Sequence, residues 1–359
     1  MSYSTENILP SGVTVAQVVA FAKLLGYTPG GNLAEPGHPK ITYLGYFEEK
    51  DYCSWVPVEL SVSIHDGAVH AATRTRIGRS HYDFKFQTKT AREIRRRFGG
   101  KLVEDGPEWF TPGPAFSPAA SGCHLAIGRL DWHLGRIRIF RSKGPLPPTL
   151  NNQAEIEKLV PFMREINPEV FLGNLLVPYV VSVVESYLKD SYIALLRYSP
   201  RKAVVLKGAR LSGEQLAAIS DERLTVEEAV AETMSFQRLS AVGKNFQDLD
   251  PKLDILGVLR KPYRRRKRTL LDDIDGLITK RHDLIHRMTM DVDMDASTVD
   301  GIVDDVHAAM NRIHKHLTKH YGWPYEHTSS WPEGGRRKRR SGTEVEPPPT
   351  VAAVAPKQS

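Results

Sequence analysis

Apolar side chains recur at helical spacing from Val15 to Leu25, behind a threonine, Thr14, placed to cap a first helix. Beyond a Gly- and Pro-rich loop the period shortens. Ile41–Phe47, Val56–His65, Ala68–Arg76 and His81–Phe86 are short β-branched or aromatic runs broken by Asp-Gly, Gly and Ser, which predicts strands and hairpins. SIHDGAVH is the clearest turn signal. A short basic helix, Ala91–Phe98, is expected next, then a second Pro- and Gly-rich loop and two more strand-like runs, His124–Leu130 and Arg136–Phe140.

The run KGPLPPTLNNQ, Lys143–Gln153, punctuates the chain and marks a domain boundary. Beyond it the pattern is helical. Val177, Val180, Val181, Val184 and Leu188 mark one amphipathic helix, and Val226–Leu239 a weaker one. Ser297 is placed to cap a last helix in which Val299, Ile302, Val303, Val306, Met310, Ile313 and Leu317 recur at steps of three and four. From Thr328 onward no apolar period remains, and disorder is expected. The fold class is therefore an α+β domain over 1–145 followed by an all-α helical bundle over 155–322, with a basic tail over 328–359.

Composition narrows the class. Hydrophobic residues make up 41% and charged residues 25% of the 359 positions, which excludes collagen-like, fully disordered and multi-span membrane proteins. The net charge of +7 is patchy: Arg260–Arg268 (RKPYRRRKR) carries +7 by itself, and Glu333–Ser359 has six basic against three acidic residues. Such patches point to a polyanion partner or a solvated tail. Cys53 and Cys123 lie far apart with no CxxC spacing, so neither a disulfide framework nor a cysteine zinc site is indicated. The N-terminus has no basic region followed by an apolar run, so no secretory leader is expected. The most apolar run, Val170–Val184, contains Asn174 and Pro178 and is shorter than a membrane span needs. It reads as a buried helix of a cytoplasmic protein without a membrane partner.

The segment richest in chemistry is Leu270–Arg287, LLDDIDGLITKRHDLIHR. Ile274, Leu277, Ile278, Leu284 and Ile285 form one face of a helix, and Arg281 falls in the middle of that stripe. A guanidinium stays ionised and is costly to desolvate without a partner. Either it meets a buried carboxylate, or the stripe is an interface with a polar cleft. His286, able to exchange protons near neutral pH, lies about 140° around the same helix. Two copies packed about a two-fold axis would place two arginines and two histidines in one cleft.

The string Arg281-His282-Asp283-Leu284-Ile285-His286 resembles the R-x4-6-H motif of the HEPN superfamily. Val180–Leu196 (VVSVVESYLKDSYIALL) is similar to the first long helix of its RiboL-PSP-type branch, Met234–Leu259 to its middle region, and the Ser297–Leu317 helix to its last. The resemblance covers about residues 155 to 322. It implies a bundle that homodimerises and carries an endoribonuclease site needing neither metal nor cofactor. In that reading His286 assists attack of a ribose 2′-hydroxyl on the adjacent phosphate, and Arg281 binds that phosphate, leaving cyclic-phosphate ends. His282 is a secondary contact to the phosphate, and Glu185 is the candidate for orienting Arg281. The setting implied is a toxin or anti-phage defence effector, with a neutralising or sensing partner and a sensing or RNA-binding role open for the N-terminal domain.

Other readings compete. Many relatives keep the fold as inactive RNA-binding or interaction modules. His282 and His286 stand at i, i+4, and HDLIH is one methylene from the HExxH zinc signature, but Asp283 shortens the expected base and no third ligand is evident. The acidic run Asp291–Asp295 lacks the glycine and terminal glutamate of an EF-hand loop and reads as a solvated loop. Arg264, Arg265, Arg266 and Lys267 precede the Arg281 helix by a few residues and are expected to rim the groove as phosphate contacts. His65, His70, His81 and His124 show no metal spacing, and Tyr43, Tyr46, Phe47, Tyr82, Phe84 and Phe86 read as core aromatics.

Overall fold

The computed structural model describes residues 2–33, 41–104, 113–143 and 167–325. The basic tail expected from Thr328 lies outside these residues, as does most of the expected boundary at 143–153.

The N-terminal part is a sheet of six strands: β1 (Tyr3–Ile8), β2 (Thr28–Leu33), β3 (Ile41–Tyr46), β4 (Val58–His65), β5 (Ala68–Thr75) and β6 (Lys101–Glu104), in the order β2-β3-β4-β5-β1-β6. Every pairing is antiparallel. The β4–β5 hairpin closes at Asp66-Gly67, both at positive φ, as the primed turn matching strand twist requires. Helices α1 (Val15–Leu24) and α2 (His81–Phe98) cover one face of the sheet. Val18, Ala22 and Ile94 pack there on Val58, Leu60, Val62 and Ala71, all buried. Thr14 caps α1 in a reciprocal box with Gln17, as its position predicts.

Three strand expectations are overturned. His81–Phe86 is the start of α2, because Ser80 and Asp83 form a capping box there: Asp83 N donates to Ser80 Oγ at 3.0 Å and Ser80 N to Asp83 Oδ2 at 2.8 Å. The alternating aromatics mislead because much of the buried face of α2 is polar. Gln87 Nε2 donates to the carbonyls of Tyr3 and Thr73, Gln87 Oε1 accepts from Thr75 Oγ1, and Thr90 accepts from Tyr27. Likewise, His124–Leu130 and Arg136–Phe140 belong to one helix, α3 (Pro118–Lys143). Its buried positions Cys123, Ile127, Leu130, Leu134 and Ile137 step by three and four, with His124 and Asp131 buried among them. Strands β1, β2 and β6 lack an apolar signal: the inward side chains of β1 include Thr5 and Asn7, which bond to Thr73 Oγ1 and to the Ala91 carbonyl.

The C-terminal part is helical: α4 (Pro168–Tyr198), α5 (Lys202–Gly208), α6 (Gly213–Ser220), α7 (Val226–Glu232), α8 (Leu239–Leu249), α9 (Leu270–Arg287) and α10 (Ala296–Tyr321). Helices α3, α4, α9 and α10 share one core, so α3 joins the helices that follow it in sequence. Val177, Val180, Val181, Val184 and Leu188 are all buried, as are Val299, Val303, Val306, Met310, Ile313 and Leu317. By length and composition α4 is apolar enough to cross a membrane, and half of its most apolar stretch is buried inside the fold. The expected helix Val226–Leu239 is two, parted at 233–238. Asp295, not Ser297, caps α10, accepting from Thr298 N at 2.8 Å. The acidic run before it is pinned rather than loosely solvated. Asn174 and Asp291 exchange two backbone–side-chain bonds of 2.9 Å, Lys280 pairs with Asp291 at 2.6 Å, and Met294 is fully buried.

The loop between β3 and β4 joins sheet to bundle. Trp55 stacks on His124 at 3.9 Å and donates to Ser121 Oγ, which donates to the Tyr52 carbonyl. Tyr198 donates to Asp51 at 2.8 Å. Asp51 and Tyr52 both sit at positive φ, a conformation that costs energy for such side chains and is held here by these contacts.

Candidate functional site

Helix α9 begins at a capping box between Thr269 and Asp272, which fixes the rotation of everything after it. Its first half is core: Leu270, Ile274 and Leu277 are buried. The apolar stripe then emerges from the fold. Ile278, Arg281 and Leu284 are half-buried, Ile285 is 41% exposed, and the helix stops at Met288 in the left-handed region, 82% exposed.

Arg281 therefore sits where the stripe leaves the core, with its Nε buried and without a hydrogen-bond partner. Across from it, Glu185 of α4 also has a buried oxygen, Oε1, without a partner. Burial pushes the Glu185 carboxyl above the usual range, while the charge of Arg281 and a hydrogen bond with Gln237 pull it back. The fold thus brings Arg281 and Glu185 into electrostatic contact. His282 and His286 stand in the exposed last turns with their rings tilted to each other, centroids 4.5 Å apart. Within one chain His286 remains about 140° around the helix from Arg281. Asp283, between the histidines, is paired with Arg287 at 3.1 Å, and among the described residues no three His, Cys, Asp or Glu side chains converge as a metal-ligand set.

The basic run ends up at the opposite end of α9. From Leu270, just after the run, to Arg281 the helix climbs roughly 17 Å at 1.5 Å per residue. Its members are not equivalent. Arg266 is bidentate to Asp305, both contacts 2.7 Å, and reaches Asp273 at 3.4 Å, so its charge is used inside the fold. Arg264 lies over the Tyr263 ring, which Arg266 and Arg312 also flank. Arg265 and Lys267 are exposed. A groove of about 140 Å³ between α9 and α10, lined by Arg268, Asp273, Gly276, Lys280 and Asp305 among others, runs from this end toward the Arg281 turn.

Toward the N-terminus of α4, its outer side shows Phe171, Leu175 and Tyr179, 50, 53 and 38% exposed, at i, i+4 and i+8. Tyr179 is bonded to His133 of α3 at 2.7 Å, and α3 adds exposed Trp132, Ile139 and Phe140.

A second titratable cluster escaped the sequence reading. His124 and Asp131 of α3 face His307 and His314 of α10, with Asp131 and His307 3.1 Å apart. Burial, aided by His314, holds the His124 ring down to about 3, and burial holds His314 down to about 4, so both are neutral near pH 7. The signal was the spacing of seven in each pair, which puts both members on one helix face.

Comparison with protein-family models, with curated proteins and with solved structures returns no match.

Proposed function

We propose that the chain is a metal-independent endoribonuclease of the HEPN type, acting as a homodimer. One observation carries the reading: a half-buried arginine with an unsatisfied Nε stands beside a carboxylate with an unsatisfied oxygen, on the helix that also exposes His282 and His286. A desolvated guanidinium so held is ready for a phosphate and costly to leave without one. Because Arg281 and His286 diverge on one helix, the second copy supplies the missing approach, and the apolar face of α3 and α4 is the surface through which it comes. RNA suits this site because its nucleophile is already in the substrate. His286 takes the 2′-hydroxyl proton, the 2′-oxygen bonds the adjacent phosphorus as the bond to the 5′-oxygen breaks, that oxygen leaves as a hydroxyl with a proton from solvent, and Arg281 neutralises the phosphate. A toxin or defence role fits such an activity, with a sensing or neutralising partner restraining it.

The divergence of Arg281 and His286 also favours a second reading, an RNA-binding module without catalysis. Purified protein incubated with mixed RNA, with and without chelator, separates the two once product ends are mapped. Cleavage to cyclic-phosphate ends that survives chelation and falls about 10²–10⁴-fold in His286→Ala is expected. Arg281→Ala should behave likewise with the fold retained. Cleavage persisting in a folded His286→Ala variant overturns the site. RNA retention without new ends supports the binding module, and zinc bound with inhibition by chelator supports a His282/His286 hydrolase.

A further inference from the structure

Helix α2 carries six cations and two carboxylates over eighteen residues, and they are not spread evenly. At 100° per residue, Lys85, Lys89, Arg92 and Arg96 fall within about 60° of one another. The buried residues Asp83, Gln87, Thr90 and Ile94 lie on the opposite side, against the sheet. The four cations therefore form a straight stripe on the outer crest of the domain, about 16 Å long. All four are exposed, and among the described residues only Arg96 has an ion-pair partner there, Glu93 at a loose 3.9 Å. A shallow depression runs along the same face, lined by Phe84, Lys85, Thr88, Lys89, Arg92 and Glu93.

Helix stabilisation explains only part of this charge. Arg95, Arg96 and Arg97 occupy the last turn, where cations complement the helix dipole, but Lys85 and Lys89 lie well outside it. Like charges at i, i+4 and i, i+3 also cost helix stability. The stripe is thus a local cost that a polyanion would repay.

We propose that α2 docks the phosphodiester backbone of a nucleic acid, as a second contact surface apart from the Arg281 turn. A linear row of cations matches a linear row of phosphates, and contacts of this kind position a strand without reading its bases. An anionic membrane fits less well. A helix that lies in a bilayer surface inserts an apolar face, and the face of α2 opposite the stripe is spent on the sheet.

The test uses the full chain in a His286→Ala background, so that binding is read without cleavage and its outcome is independent of the nuclease reading. Binding of labelled single-stranded RNA, duplex RNA and duplex DNA is followed by anisotropy as salt is raised. Replacing Lys85, Lys89, Arg92 and Arg96 together by Gln is expected to make log K against log salt shallower by about 3 for the single strand, four contacts at roughly 0.7 each. Replacing four exposed cations elsewhere, Lys207, Arg210, Lys244 and Lys252, by Gln is expected to change the slope by less than one. Thermal melting verifies that both variants remain folded. An unchanged slope in the α2 variant, an equal change in the control, or binding to phosphatidylserine vesicles but to no nucleic acid overturns the proposal.

Discussion

At the residue scale the most telling pair is Glu185 and Arg281, two opposite charges that the fold half-buries and leaves with unsatisfied atoms. If Glu185 orients Arg281, Glu185→Gln should lower cleavage roughly 10- to 100-fold, the cost of misplacing a group whose chemistry is intact. Glu185→Asp should recover part of that rate. Thermal melting should show Glu185→Gln folded at the assay temperature, although Arg281 loses its carboxylate partner. Wild-type turnover by the glutamine variant would sever the pairing. His124 and His314 offer a second residue-scale outcome. Both rings are neutral in the fold, yet in the unfolded chain they take up protons below about pH 6.5. The unfolded state then binds more protons, so stability is lost as pH drops from about 6.5 toward 4. Each ring accounts for about 2 kcal/mol between pH 7 and pH 5. Urea titrations at those two pH values should show His314→Phe losing about that much less than the wild type. An equal loss in both would free His314 of the pH dependence.

Elements were legible where their buried faces are apolar and opaque where they are not. Helices α4 and α10 and the β4–β5 hairpin follow directly from hydrophobic period and turn chemistry. Helix α2 was half-missed because Asp83, Gln87 and Thr90 line its buried side, satisfied by strands β1 and β5, by the loop before β4 and by Tyr27, partners that no local pattern announces. Helix α3 was read as strands because its glycines and buried polar residues interrupt the period. Two of those glycines give a paired prediction. Helix propensity favours Ala over Gly by about 1 kcal/mol at either place. At Gly122 an added Cβ would stand 2.6 Å from Ala194 Cβ and 2.9 Å from the Tyr52 ring, whereas at Gly128 it meets nothing within 4 Å. Denaturant midpoints should therefore show Gly122→Ala destabilised by about 1–3 kcal/mol and Gly128→Ala stabilised by up to about 1 kcal/mol.

At the scale of the whole molecule, the proposed dimer is tested on the apolar face of α3 and α4. Leu175→Glu places a charge in the middle of the exposed stripe Phe171, Leu175 and Tyr179 while changing monomer stability by about 0.5 kcal/mol or less. Light scattering should find the wild type dimeric and the variant monomeric, and RNA cleavage should vanish in the variant although Arg281 and His286 are intact. A wild-type monomer that cleaves at full rate would contradict a shared site. By itself the sequence determined the order of sheet then helices, the two long core helices and the residues worth watching on α9, because periodicity and ionisable side chains are local properties. Tertiary structure alone decided that Arg266 is consumed by Asp305, that the basic run stands a helix-length from Arg281, and that Glu185 faces Arg281. Those facts depend on which surfaces meet, and side chains far apart in the chain are matched only when the core closes around them.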